Sequence, residues 1–299
     1  PDVSPDGKLV AYQAVRNLSQ GDKISNCSIL TRPLNSAGSD NSDQAVRLAD
    51  DGALPKWSPD SKKISFTDVR LNLWLLDVAS GKMTVVDNDA HNNLNTSGGA
   101  IESPRWSPDS RWLTYAKRLP GQMNAAFVYE VSTGRATQIT DGMSDAVEPV
   151  FSRDGKYLFF AASTNVATNV GWLDMARLDK PVTRSLYAVV LNKDAASPFA
   201  PESDEEAVKA ASDDASGEKK DDKKDDKKTE KKEDAGAKKE TKIDFAGISQ
   251  RIVALPVPDR AYAGLQTADG KLFYGEFIPN KPGFTLNTFE FKDRKSSVY

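Results

Sequence analysis

The sequence predicts an all-β protein, and within that class a β-propeller of four-stranded blades. One observation is a repeated phrase in which a polar turn with aspartate and a basic residue precedes alternating apolar positions. Its copies are SPDGKLVAY at Ser4, SPDSKKISF at Ser58, SPDSRWLTY at Ser107, SRDGKYLFF at Ser152 and a worn TADGKLFY at Thr267. The other is a hairpin signal ending in Gly81 and Gly134, which lie 53 residues apart, close to the 49 between Ser58 and Ser107. Four strands in about 50 residues are typical of a propeller blade.

The first three repeats occupy residues 1–51, 52–90 and 100–142. Three strands are visible in the first, so we expect an incomplete blade there. In the second, Leu73–Val78 is a nearly continuous apolar run, as expected for a strand covered on both faces. The turn Ser80-Gly81 then predicts a tight hairpin before an outer strand. The third repeat follows the same order of strands and turns.

The fourth repeat, residues 146–258, is interrupted twice. An excursion, STNVATNVGWLDMARLDKPVT, precedes a third strand predicted at Arg184–Leu191, and Ser249–Val257 is predicted to complete the blade. Residues 259–299 then supply two strands of a partial fifth blade. Its turn lacks the aromatic residue that precedes the turns of the second, third and fourth repeats, namely Trp57, Trp106 and Phe151.

A charged insert covers residues 200–242, and its middle reads KKDDKKDDKKTEKKED. The period of four would stack like charges one helical turn apart, for example Asp221 on Asp225, which disfavours a helix. The insert also has no apolar face to bury. We therefore predict a disordered polyampholyte loop, with a docking tail for a charged partner as the alternative.

Composition excludes several classes of function. The formal net charge of −3 in 299 residues argues against nucleic-acid binding, and no apolar run reaches the roughly 18–20 residues of a membrane span. The single cysteine, Cys27, is predicted to pack in a strand, and the single histidine, His91, to be solvated in a polar loop. A serine or cysteine hydrolase normally needs a histidine base. We therefore predict no catalytic, cofactor-binding or metal-binding residue and no cofactor.

The repeated aspartates are predicted to be structural. They occupy one position of every copy, whereas a catalytic acid has no reason to be duplicated around a ring. Aspartate beside glycine or serine accepts hydrogen bonds from the turn backbone. The residues concerned are Asp6, Asp60, Asp109, Asp154 and Asp269.

The repeats resemble those of TolB-like and tricorn-like propellers. A more specific resemblance comes from the succession GWLDMARLDKPVTRSLYAVVL, SPFAPESDEE (Ser197–Glu206), a Lys/Asp/Glu-rich loop, ISQRIVALPVP (Ile248–Pro258) and AYAGLQTADGKLFY. This succession is similar to bacterial tricorn-type serine peptidases, in which propeller regions precede a PDZ-like module and a C-terminal peptidase domain. None of the catalytic motifs of that family is visible, so no catalytic residue is carried over.

The resemblance implies a non-catalytic propeller that gates or channels peptides or unfolded polypeptides to PDZ-like and peptidase domains further along the same chain. It also implies a possible homo-oligomer. Because the chain starts inside a repeat without methionine, we expect a piece of a longer polypeptide with six or more blades. A cytoplasmic location is expected, or a periplasmic or secreted one if an export signal precedes residue 1. A TolB-type interaction propeller and a propeller enzyme such as a lactonase or glycosidase are the alternatives.

Overall fold

The computed structural model describes residues 1–15, 27–33, 46–50, 52–91, 102–165, 182–200, 240–278 and 283–299. These residues form five antiparallel sheets of four strands each, which confirms the predicted all-β propeller class. The charged run, which was predicted to be disordered, lies outside the described residues. Most of the excursion before Arg184 also lies outside them. The side chain of Cys27 does as well, although its backbone lies in a strand.

Within each sheet the strands follow one another in chain order. The first sheet contains β1 (Asp2–Val3), β2 (Leu9–Val15), β3 (Cys27–Pro33) and β4 (Val46–Asp50). The second contains β5 (Gly52–Trp57), β6 (Lys63–Asp68), β7 (Asn72–Asp77) and β8 (Met83–Asn88). The third contains β9 (Glu102–Trp106), β10 (Trp112–Arg118), β11 (Asn124–Glu130) and β12 (Arg135–Gln138).

The last two sheets have the same plan. The fourth contains β13 (Asp145–Phe151), β14 (Tyr157–Ser163), β15 (Ser185–Val190) and β16 (Ile252–Ala254). The fifth contains β17 (Ala261–Ala268), β18 (Lys271–Phe277), β19 (Thr285–Glu290) and β20 (Lys295–Val298). The first and fifth sheets, which showed only three and two strands in the sequence, thus each have four. Their additional strands include the two-residue β1 and the exposed β20, which carry little hydrophobic alternation.

Four apolar layers, which we call seams, lie between successive sheets. Alternate side chains of one strand enter different seams, because neighbouring residues point to opposite faces of a sheet. In β10, Leu113 and Tyr115 pack against the second sheet, whereas Trp112 packs against the fourth. In β14, Phe160 faces the third sheet and Phe159 the fifth. Each inner sheet therefore buries both faces, which explains the continuous apolar runs in the sequence.

The first strand of each sheet is the inner one. Neighbouring inner strands contact one another in the order β1, β5, β9, β13 and β17, so the sheets radiate from a common axis as in an open propeller. A β-bulge interrupts the pairing of β5, β9, β13 and β17, and in three of these strands it contains a residue with positive φ, namely Leu54, Glu148 and Gly264. A bulge of this kind bends the strand where it reaches the axis.

The prediction of a strand over Ser249–Val257 is wrong for the first residues of this range. Residues Ile248–Arg251 form a 3-10 turn that follows Gly247, whose φ is 64°, and only Ile252–Ala254 pair in the sheet. The side chain of Arg251 explains the turn, since it donates to the carbonyls of Val190, Leu191, Asp244 and Ala246. These bonds hold the backbone that leads into β16.

Candidate functional site: the axial cavity

A cavity of about 1020 Å³ lies where the inner strands end and turn into the second strands. Every one of the five sheets contributes to its wall. The residues that follow the first serine of each turn share one position and line the rim, namely Pro5, Pro59, Pro108 and Arg153. Behind them lie the aromatic ends of three inner strands, Trp57, Trp106 and Phe151.

The repeated serine and aspartate build the turns that carry this rim. In the third sheet the buried Ser107 hydroxyl donates to Asp109 Oδ1 over 2.6 Å and accepts the N–H of Trp112 over 2.9 Å. Asp109 Oδ1 also accepts the N–H of Arg111 over 3.2 Å. The same serine–aspartate bond, 2.6 Å long, recurs in three other turns, at Ser4–Asp6, Ser58–Asp60 and Ser152–Asp154.

This geometry confirms the structural interpretation of these four aspartates. The Ser4 hydroxyl, followed by the backbone N–H of Lys8, holds the pKa of Asp6 below its ordinary value. Ser152 also lines the cavity, and its hydroxyl forms hydrogen bonds within its own turn. It donates to Asp154 and accepts the N–H groups of Lys156 and Tyr157.

Asp269 is not equivalent to the other four, which corrects the alignment of the fifth copy. Thr267 pairs with Leu272 as Phe151 pairs with Leu158, so residues 268–271 replace the six residues 152–157. Asp269 and Gly270 form a two-residue hairpin, with Gly270 at φ 67°. The Thr267 hydroxyl donates to the carbonyl of Phe151 over 2.8 Å.

Three basic residues, Arg105, Arg153 and Lys271, add charged groups to the proline and aromatic wall of the cavity. Arg105 is half-buried on β9 and Arg153 is exposed on the rim, and the guanidinium group of neither forms an ion pair or hydrogen bond with another described residue. Lys271 is held by Glu290 at 2.5 Å, and this hydrogen bond raises the pKa of the lysine. Arg153 was not predicted as a site residue, although the change from SPD to SRD in the fourth copy was a visible signal.

The aromatic wall also carries a fixed hydroxyl. Tyr157 donates to the carbonyl of Ala196 over 3.1 Å. Burial, and then the charge of Asp154, raises the pKa of Tyr157, so its hydroxyl stays protonated at neutral pH. The cavity thus combines proline and aromatic surfaces with a few polar groups.

The remaining candidates lie elsewhere. His91 is exposed in the turn after β8 and is absent from the cavity wall. Among the described residues, no three histidine, cysteine or acidic side chains are grouped as metal ligands. The described residues also include no helix with the length and apolarity needed to cross a membrane.

The chain is similar to known proteins over nearly its whole length. It is 25% identical over 309 residues to a protein of Sulfurisphaera tokodaii described as a tricorn-like protease C-terminal subunit, covering 97% of this chain and 30% of that protein. It is 29% identical over 116 residues to the Tol-Pal system protein TolB of Francisella tularensis, covering 37% of this chain and 25% of that protein. The chain thus spans less than a third of the length of these relatives.

A solved structure supports the same assignment of the fold. The crystal structure of the tricorn protease superimposes with a TM-score of 0.65 at 14% identity, covering 98% of this chain and 25% of that one. The family of tricorn protease second β-propeller domains matches residues 10–299. The five-sheet architecture, the continuous match and the predicted resemblance agree, and this chain belongs to the family of tricorn protease second β-propeller domains.

Proposed function

We propose that this propeller region of a tricorn-like protease admits unfolded peptide substrates and guides them toward a peptidase domain of the same polypeptide. The observation that carries the proposal is the axial cavity of about 1020 Å³, to which all five sheets contribute. Its rim consists of turns that are each held by a half-buried serine–aspartate hydrogen bond, which supports an opening of fixed shape. We propose in addition that the substrates are peptides and that the peptidase domain lies further along the chain. The propeller itself would contribute no catalytic residue.

The chemistry of the wall supports passage rather than tight binding of one ligand. Proline and tryptophan edges offer apolar contact, while Arg105 and Arg153 offer hydrogen-bond donors to peptide carbonyls. The one serine of the wall is committed to its turn. A base histidine is missing from this wall, and nucleophilic catalysis by serine normally requires one.

Site-specific blocking of the cavity in the full-length parent protein tests the proposal. Ala268 lines the cavity, and a cysteine placed there, with Cys27 replaced by serine, can be coupled to a bulky polyethylene-glycol maleimide. Lys82→Cys is the matched control, because residue 82 is exposed in the outer hairpin of the second sheet. Hydrolysis of an unfolded protein and of a tripeptide would be measured before and after coupling.

Blocking at residue 268 is expected to slow hydrolysis of the unfolded protein several-fold and of the tripeptide much less, while coupling at residue 82 changes neither. An unchanged rate for the unfolded protein after coupling at residue 268 would refute gating. A parent protein without any peptidase activity would instead favour the alternative, an interaction propeller of the TolB type, for which the partial likeness to TolB is the supporting observation.

A further inference from the structure

Hydroxyl groups connect the turns of neighbouring sheets at the first two seams. Ser61 Oγ accepts the N–H of Asp6 over 3.1 Å, and Ser110 Oγ accepts the N–H of Asp60 over 3.0 Å. Both serines adopt the left-handed conformation, with φ of 60° and 63°. A serine at this turn position therefore holds its own sheet to the preceding one.

The third seam lacks this serine. The equivalent residue of the fourth sheet is Gly155, whose φ of 72° matches the two serines. The space for a side chain is already occupied, since a Cβ atom on Gly155 would lie 2.5 Å from Thr241 Oγ1 and 3.4 Å from Thr241 Cα. Thr241 belongs to the segment that returns from the charged insert, and its side chain is fully buried. The predicted insert, residues 200–242, therefore includes an ordered and buried end.

The segment Glu240–Phe245, which we call the strap, contacts both sheets at this seam. The Thr241 N–H donates to Asp109 Oδ2 over 2.8 Å, and the Thr241 carbonyl accepts the indole N–H of Trp112 over 3.1 Å. Glu240 pairs with Arg111 of the same turn. Phe245 lies edge-on against Trp112 with 5.8 Å between ring centroids.

The other end of the strap is fixed to the fourth sheet. The Asp244 N–H donates to the carbonyl of Leu191 over 2.9 Å, and an Asp244 carboxylate oxygen accepts the N–H of Lys193 over 3.0 Å. Ile243 and Phe245 pack onto the apolar cluster of the third seam. The strap is thus bound along its length, with Thr241 inserted where Gly155 lacks a side chain.

We propose that the strap is an intramolecular ligand that replaces the missing serine, so that the third seam is held by the end of the insert rather than by its own turn. Asp109 and Gly155 belong to the turns that carry Pro108 and Asp154, two residues of the cavity wall. The strap therefore connects the insert mechanically to the axial cavity. A side chain at residue 155 and the bound strap exclude one another.

This mutual exclusion is tested by a double-mutant cycle on the full chain. Gly155→Ser restores the side chain found at the first two seams, and Ser61 and Ser110 show that serine can adopt this left-handed conformation, although at a cost in backbone strain. Alone it is expected to lower the melting temperature by several degrees, since it displaces Thr241. Thr241→Gly also lowers it, through loss of a buried side chain. In the double variant the introduced serine has the space to accept the Asp109 N–H, so the loss is smaller than the sum of the two single losses.

Hydrogen exchange distinguishes displacement of the strap from general destabilisation. In Gly155→Ser the amides of residues 240–245 are expected to lose protection, while those of β6 and β7 keep it. Ser61→Gly combined with Thr241→Gly is the matched control, because Ser61 holds the first seam and lies in a different turn from the residues that bind the strap, so its two losses should add. The proposal is overturned if Gly155→Ser leaves both the melting temperature and the protection of the strap unchanged, or if its losses with Thr241→Gly add in full.

Discussion

The hydroxyl of Ser110 accepts the backbone N–H of Asp60 over 3.0 Å, and this bond joins a turn of the third sheet to a turn of the second. Ser110 is nearly buried, and its φ of 63° is uncommon for serine. A residue that keeps an unfavourable conformation in order to make one contact between sheets has a direct role in holding the propeller together. Variants of such residues can show which parts of the ring depend on these contacts.

Removal of this hydroxyl is expected to weaken the second seam. Ser110→Ala leaves the Asp60 N–H without its acceptor, and we expect a loss of about 1 kcal/mol in the free energy of unfolding. Urea denaturation monitored by tryptophan fluorescence measures it. Ser132→Ala is the control, because the Ser132 hydroxyl donates to Glu130 on the exposed surface. Equal midpoints for the two variants would contradict a role for Ser110 between the sheets.

At the Leu54 bulge we expect glycine to give a more stable protein than alanine, which is the reverse of their usual order. Leu54 is 62% exposed and has a φ of 54°, whereas the corresponding bulge of the fifth sheet contains Gly264. Left-handed backbone costs a residue with a Cβ atom about 1–2 kcal/mol, and glycine escapes this cost. Leu54→Gly should therefore unfold at higher urea concentration than Leu54→Ala. The opposite order would show that the bulge is not strained.

Asp68 is expected to make stability depend on pH in the acidic range. Burial raises its pKa, but hydrogen bonds from the Asn72 amide, the Trp74 indole and the N–H groups of Asn72 and Arg70 outweigh burial and lower it. A lowered pKa in the folded state stabilises the fold above the ordinary value of 3.8, and this contribution is lost as the pH falls through the folded-state pKa.

Asp68→Asn isolates this contribution, because an amide does not titrate. The stability gap between the native protein and the variant should be constant from pH 7 to about pH 5 and should narrow below about pH 4. Urea midpoints of both proteins at pH 7, 5, 4 and 3 supply the comparison. A gap that stays constant down to pH 3 would mean that the carboxylate charge of Asp68 contributes nothing.

Apolar burial in the seams is expected to dominate the stability. Leu113 is fully buried against the second sheet, and Leu113→Ala should cost about 2–5 kcal/mol because it removes contacts and leaves a cavity. Val85→Ala on β8 is the control, since Val85 is 47% exposed and its truncation should cost about 0.5 kcal/mol or less. Thermal unfolding of both variants tests the difference. Similar melting temperatures would contradict packing between sheets as the main source of stability.

The class of fold and the role of four turns were predictable because both rest on local pattern. A serine, an aspartate and a basic residue at fixed spacing form hydrogen bonds within a few residues, as at Ser107 and Asp109. Strand alternation follows from the same local rule. The fifth turn was misaligned because Asp269 resembles the other aspartates in its neighbours, whereas the pairing of Thr267 with Leu272 across the sheet places it in a shorter hairpin.

Contacts between distant segments were beyond prediction from the chain alone. The bond from Thr241 to Asp109 joins residues whose neighbours in sequence share no pattern, and it exists only because Gly155 leaves space between two packed sheets. The convergence of Arg105 and Arg153 on one cavity likewise depends on how the inner strands meet at the axis. Short-range hydrogen bonds and hydrophobic alternation depend on residues that are close together in the chain, so the sequence specifies the blades and their turns. The seams, the cavity and the strap arise from packing between blades, and only the folded arrangement decides them.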